Sequence, residues 1–205
     1  MLPHRIIAFG SSSVYGRGDP VGGGFIGRLR AWHEPQDQKN LVYNLGVGGD
    51  TSEGMLQRFL SECAFRRPDL ILLYPGLNDT RRTGSKIAEN SVLIEKFREN
   101  IEKLIEYSLK LAPTIFISSF PPDESRTTPF QSNWCYLHSD AAEYSKACQE
   151  ICNSRSVPYF PLFESWSKGV DLLKISVDGL HAGPEGHQKL FEELRDFLIA
   201  HCNRL

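Results

Sequence analysis

Five short apolar runs punctuate the chain, at residues 5–10, 41–46, 70–75, 114–118 and 157–161, and each ends in Gly, Pro or Ser. Longer stretches with helical spacing separate them, so the runs read as strands and the intervals as helices. Within most runs successive positions are apolar instead of alternating. That is the pattern of parallel strands covered on both faces by helices.

The clearest helical interval is 86–111. Ile87, Ile94, Phe97, Ile101, Leu104, Ile105 and Leu111 form one apolar stripe there, opposite a charged face, and Pro113 stops it. Spacing also predicts helices over 139–153 and 184–202, the second with Pro184 at its first position and Leu190, Leu194, Phe197 and Leu198 turned inward. Shorter helices are expected over 25–32 and 51–60, and residues 121–138, which follow neither period, read as a loop. Strands alternating with helices give a three-layer α/β/α sandwich around a five-stranded parallel sheet, expected as one domain over residues 1–205. In such sheets the working residues gather in loops at the carboxyl ends of the strands.

Composition narrows the partners. With 205 residues and 40% hydrophobic content the chain can bury a core without staples or metals. A formal charge of -2 supplies no basic field, so nucleic acid is not an expected partner. No stretch approaches the roughly eighteen apolar residues of a membrane span, and Met1 to Arg5 leave no room for a leader, which makes a cytoplasmic location the expectation. Cys63, Cys135, Cys148, Cys152 and Cys202 are odd in number and scattered, and read as reduced thiols. Cys148 and Cys152 lie one helical turn apart, but no second close pair accompanies them, so no zinc site is expected. The sequence leaves the oligomeric state open.

Four segments carry candidate chemistry: Gly10-Ser11-Ser12-Ser13, Gly46-Val47-Gly48-Gly49-Asp50-Thr51, Gly76-Leu77-Asn78-Asp79 and Asp178-Gly179-Leu180-His181. Each has a plain structural use. A serine cluster after a strand forms a turn or helix cap, and the glycine segment forms a tight turn in which Asp50 is the N-cap and Glu53 completes a capping box. Glycines there also leave a backbone N–H open to a ligand. Asn78 bonds its own turn or donates to a developing oxyanion, and Asp79 reads as a turn or helix cap. Asp178 and His181, three apart, can stand side by side with the carboxylate fixing the imidazole. His4, His33, His138 and His201 read as structural, and His187 as a packed helix residue beside Leu190 and Leu194.

Together and in this order, the four segments resemble the GDSL hydrolases, also called SGNH hydrolases, from Phe9 to Leu190. The Phe-Gly-Asp-Ser block falls on Phe9, Gly10, Ser11 and Ser12, and the Gly-Asp-Thr block on Gly49, Asp50 and Thr51. The Gly-x-Asn-Asp block falls on Gly76 to Asp79, and the terminal Asp-x-x-His on Asp178 and His181. The resemblance implies a flavodoxin-like SGNH fold and lipase- or acylhydrolase-like cleavage of a carboxylic or thio ester through an acyl-enzyme. Ser12 would be the nucleophile, His181 the base and Asp178 its orienter, with the Ser12 and Gly49 N–H groups and the Asn78 amide as oxyanion hole. Ser11 stands where the name-giving aspartate does, so a hydroxyl replaces a strong acceptor for loop amides, and Ser13 stands where Leu or Ile is common.

The partner expected from this is a small acyl ester or thioester, spanning lipid, aryl and acetylated-sugar esters. Phe130, Trp134 and Tyr136, in the loop after the fourth strand, either line its pocket or pin the loop to the body. Neither metal nor organic cofactor is called for, and Asp178, His181 and His187 match no metal spacing. Two other readings remain at this stage. One is a degenerate hydrolase that binds a ligand without turning it over. The other is a flavodoxin-like phosphate or nucleotide module cradling its ligand at Ser11 to Gly16, although that loop fits neither Gly-x-Gly-x-x-Gly nor a P-loop. An α/β-hydrolase is disfavoured because Gly10 to Val14 lack the second glycine of Gly-x-Ser-x-Gly.

Overall fold

The first strand, β1 (Arg5–Gly10), sends Ile6 and Ala8 into one apolar layer and Ile7 and Phe9 into another. This is why its sequence does not alternate: both faces are covered. The protein is described here by a computed structural model covering residues 2–131 and 133–202. After β1 come α1 (Ser12–Tyr15), α2 (Gly24–His33), β2 (Leu41–Gly46), α3 (Ser52–Cys63), β3 (Leu70–Tyr74) and β4 (Arg82–Thr83). The chain continues through α4 (Ile94–Leu111), β5 (Thr114–Ile117), α5 (Glu124–Thr127), β6 (Trp134–Cys135) and α6 (His138–Ser154). It closes with β7 (Tyr159–Phe160), α7 (Leu162–Gly169), α8 (Leu172–Ile175) and α9 (Pro184–Cys202).

Five strands form one parallel sheet in the order β2-β1-β3-β5-β7. On one face Phe25, Ile26 and Leu29 of α2 and Leu190, Leu194 and Leu198 of α9 pack against it. On the other, Met55 and Phe59 of α3, Phe97, Ile101 and Leu104 of α4, and Tyr144 and Ile151 of α6 do so. Complete burial of each such Leu, Ile or Phe contributes about 1.5–3 kcal/mol, enough to fix which face each helix covers. The result is the expected α/β/α sandwich.

Strand order reverses at β1, whose neighbours are β2 on one side and β3 on the other. A crevice opens at such a point, beyond the carboxyl ends of the strands. Gly10, which ends β1, pairs with Tyr74, which ends β3. The serine cluster and the Gly76 to Asp79 segment therefore leave the sheet side by side.

The helix expected over 86–111 begins only at Ile94. Ile87, counted in its stripe, is 93% exposed. Tertiary bonds hold the preceding stretch in another shape: Asn90 Nδ2 donates to Thr80 O and to Asp140 Oδ2, both at 2.9 Å, and Val92 N donates to Asp79 O at 3.1 Å. The run expected over 157–161 is a strand only at Tyr159–Phe160, on the sheet edge. The loop 121–138 holds α5 and the short β6, and β6 pairs antiparallel with β4. Among the described residues no helix is long and apolar enough to cross a membrane. All five cysteines are buried and unpaired.

Candidate active site

Ser12 is the first residue of α1, directly after β1, so its N–H belongs to the first turn and has no intrahelical acceptor. The helix lasts one turn. Gly16 ends it in the left-handed region at φ 96°, its N–H bonding Ser12 O at 3.1 Å. Ser11 beside it is 2% exposed and packs against Gly76, where a Cβ would come within 2.1 Å of Ser11 Oγ. A side chain at position 76 would displace the Ser11 hydroxyl.

The Ser12 hydroxyl meets His181, with Oγ and Nε2 2.9 Å apart. On the other side of the ring, His181 Nδ1 lies 2.8 Å from Asp178 Oδ2. A carboxylate accepts only, so Nδ1 carries the proton and Nε2 is left to accept from Ser12. The other Asp178 oxygen, Oδ1, accepts from Leu180 N at 2.9 Å and His181 N at 2.8 Å. Burial alone would raise the Asp178 carboxyl, but the bond from His181, its charge and those two amides outweigh it and hold the group below the ordinary carboxylate range.

The loop that presents this pair is anchored from α5. Arg126 donates to Ser176 O at 3.2 Å and Leu172 O at 2.9 Å, and Asp123 N donates to Gly179 O at 2.8 Å. Nothing in the terminal motif itself announces Arg126. His187, the other late histidine, is buried as expected, taking Phe25 N at Nδ1 and donating from Nε2 to Arg17 O at 3.0 Å.

Gly49 and Asn78 border the same cleft as the hydroxyl. Gly49 has φ 79° and nothing where a Cβ would be, so its backbone, not crowding, calls for glycine. Asn78 donates from Nδ2 to Asp50 O at 2.9 Å, which fixes the amide and leaves its second N–H available. Asp79 reaches away from the cleft. Its carboxylate accepts from Ser52 Oγ at 2.6 Å and Ser52 N at 3.0 Å, capping α3 from 27 residues away. Burial pushes this carboxyl up to about 6 against the bonds from Ser52.

The cap expected at Asp50 is at Thr51 instead, whose Oγ1 takes Gly54 N at a long 3.5 Å. Asp50 is drawn off by Arg58, at 2.7 Å. The same guanidinium donates to Gly10 O at 2.8 Å and Leu45 O at 3.0 Å and lies 4.1 Å over the Phe9 ring. Arg58 thus ties the ends of β1 and β2 to the glycine turn. Sequence reasoning missed it, because the acceptors it joins, Gly10 O, Leu45 O and Asp50, are remote from one another along the chain.

Ser12, His181, Gly49 and Asn78 border a cleft of about 440 Å³. Phe130, Trp134 and Tyr136 line it too, and Phe130 and Tyr136 also pack with Leu77, Phe163 and Leu180. They thus border the cleft, and through this packing Phe130 and Tyr136 also pin the loop to the body. Beneath Ser12 a hollow of about 10 Å³, bounded by Ser11, Ser13, Gly76 and Phe120, is the size of one water. A hydroxyl, an imidazole and an oriented carboxylate in series suit acyl transfer to the hydroxyl.

The sequence model of the GDSL-like Lipase/Acylhydrolase family matches residues 8–189. Two curated relatives, the GDSL esterase/lipase CPRD49 of Arabidopsis thaliana and the GDSL esterase/lipase WDL1 of Oryza sativa subsp. japonica, are each 26% identical over 136 residues. Those residues are 62% of this chain but 53% and 52% of the relatives, so the chain spans about half the length of the curated relatives it matches. Among solved structures, a lipase/acylhydrolase from Enterococcus faecalis superposes with TM-score 0.76 and 26% identity over 95% of each chain. Axe2, an acetylxylan esterase from Geobacillus stearothermophilus, has TM-score 0.72 at 15% identity, covering 95% of this chain and 94% of its own, a likeness of fold alone.

Proposed function

The chain belongs to the GDSL-like lipase/acylhydrolase family, and on that premise we propose that it hydrolyses a carboxylic or thio ester through an acyl-enzyme on Ser12. The observation that carries this reading is the series Ser12 Oγ, His181, Asp178, with spacings of 2.9 and 2.8 Å. A serine hydroxyl is a weak nucleophile at neutral pH unless a base takes its proton during attack. His181 Nε2 takes it as Ser12 Oγ bonds to the acyl carbon, and Asp178 stabilises the imidazolium. The carbonyl oxygen, now anionic, accepts from the Ser12 and Gly49 N–H groups and the Asn78 amide.

Collapse of the tetrahedral intermediate breaks the bond to the leaving alkoxide or thiolate, which leaves with the proton from His181. Water then repeats the sequence, losing its proton to His181 and releasing the acid and free Ser12. Every step uses protein groups and one water. A phosphate-binding reading of Ser11 to Gly16 gives the Ser12, His181 and Asp178 series no task.

A panel of p-nitrophenyl esters and acyl-CoA thioesters of graded chain length, run on wild type and Ser12→Ala, tests the reading. Turnover of at least one substrate, lost in Ser12→Ala, supports it. Full turnover by Ser12→Ala refutes the nucleophile, and no turnover by wild type refutes the activity.

A further inference from the structure

The walls of the cleft are electrically uneven. Arg17 lines it with Tyr15, Gln131 and Trp134. Its backbone is held from two directions: Arg17 N donates to Ser12 O at 2.9 Å, and Arg17 O accepts from His187 Nε2 at 3.0 Å. The residue is thus set by the nucleophile turn itself and by α9. Its side chain is exposed, and among the described residues no ion pair includes it. The neighbouring acids are already engaged, Asp19 by Arg28, Asp50 by Arg58 and Asp178 by His181.

A second guanidinium, outside the cleft lining, backs one of its walls. Arg81 lies 4.8 Å over the Trp134 ring, with Nε on Ser91 Oγ at 3.2 Å and no carboxylate partner among the described residues. The chain as a whole carries a formal charge of -2, so an unpaired cation at the cleft is not a general property of the surface. Tyr15 and Arg17 also border a second hollow, about 510 Å³, that continues along Gly18, Asp19 and Pro20 to Gly23. Arg17 therefore stands at the junction of two hollows, one of which contains the reactive hydroxyl.

Resting on the ester-hydrolase reading, we infer that the site selects esters carrying a fixed anion, and that the Arg17 guanidinium receives it. The planar fork matches the paired oxygens of a carboxylate or a phosphate, and a partly enclosed cleft strengthens the attraction relative to open water. The rest of such a substrate extends into the hollow beyond Arg17. Arg17 acts on substrate recognition and takes no proton.

Matched substrate pairs test this. Mono-p-nitrophenyl succinate against p-nitrophenyl butyrate carries the anion on the acyl side. Sodium 4-acetoxybenzoate against methyl 4-acetoxybenzoate carries a carboxylate on the leaving group, and 4-acetoxyphenyl phosphate against the same methyl ester carries a phosphate there. The readout is the anionic-to-neutral ratio of kcat/KM in wild type relative to Arg17→Gln, in which the intrinsic reactivities of the esters cancel. In at least one pair the ratio is expected to fall about tenfold in Arg17→Gln, on the scale of one hydrogen bond to a charged group, to recover partly in Arg17→Lys, and to shrink with added salt. The pair that responds identifies which anion, and which side of the ester, Arg17 serves.

An unchanged ratio in every pair, or a parallel loss of both members, overturns the inference. Binding of the same esters to Ser12→Ala and Ser12→Ala/Arg17→Gln, measured by calorimetry, reads the preference without turnover. Tighter binding of the anionic member only when Arg17 is present supports the inference, and equal or undetectable binding of both members overturns it. Absence of turnover in wild type, by contrast, counts against the ester-hydrolase reading.

Discussion

Ser12 Oγ stands 2.9 Å from His181 Nε2 although 169 residues separate them in the chain. The sheet brings the first of these to the switch point at the end of β1, and the loop before α9 carries the second across it. Asp178 then fixes the ring, so the reactivity assigned to Ser12 depends on a carboxylate it never touches.

Replacing Asp178 by Asn keeps the shape and removes the acceptor charge that selects the tautomer. The expected result is a fall in kcat of about 10⁴-fold with KM little changed, read by steady-state kinetics. The same variant carries a stability signature. Because the Asp178 carboxyl is held low, its contribution is present above the ordinary carboxylate value near 4 and is lost as pH falls through its lower folded value. In urea titrations, the advantage of wild type over Asp178→Asn should be present at about pH 5 and shrink below about pH 4.

Asn78→Ala removes one oxyanion donor. A loss of about 100- to 1,000-fold in kcat is expected, with a modest fall in the urea midpoint from losing the bond to Asp50 O. A loss of only a few-fold would remove Asn78 from the oxyanion hole.

Arg58→Lys tests the anchor behind the glycine turn. A lysine ammonium cannot reproduce a fork that reaches Asp50, Gly10 O and Leu45 O together. With 16% and 10% side-chain exposure for Arg58 and Asp50, the buried carboxylate and carbonyls are left short of donors. A destabilisation on the order of 2–4 kcal/mol is expected, measured as a lower urea midpoint at unchanged m-value.

Asp79 gives the opposite pH dependence from Asp178. Its carboxyl is raised to about 6 in the folded chain, so the native state holds the proton more tightly than the unfolded one. The associated stability is fully present below the unfolded value near 4 and is lost as pH rises through about 6. Between those limits wild type should lose on the order of 3 kcal/mol relative to Asp79→Asn. Parallel urea titrations of the two proteins at pH 4 and pH 7 check it.

The sandwich was legible because Ile6, Ile7, Ala8 and Phe9 in succession admit no exposed face, and burial on both sides is a strong constraint on a strand. The candidate site residues lay in short blocks at strand ends and, for Asp178 and His181, in the loop before α9, where side chains are not needed by the core. Less legible were features decided by distant partners. Ile87 extended a helical stripe on paper, yet Asn90 and Val92 are held by Thr80, Asp140 and Asp79 in a shape that excludes helix. Asp50 looked like a cap until Arg58, eight residues on, took its carboxylate. Bonds of that kind leave no period in the sequence.

The most direct test of the account is covalent labelling of the intact protein with a fluorophosphonate, followed by intact mass and peptide mapping. A single adduct is expected on Ser12, absent in Ser12→Ala and formed far more slowly in His181→Ala. An adduct on Ser11, Ser13 or any other residue, or a wild-type protein that takes up no label, would contradict it.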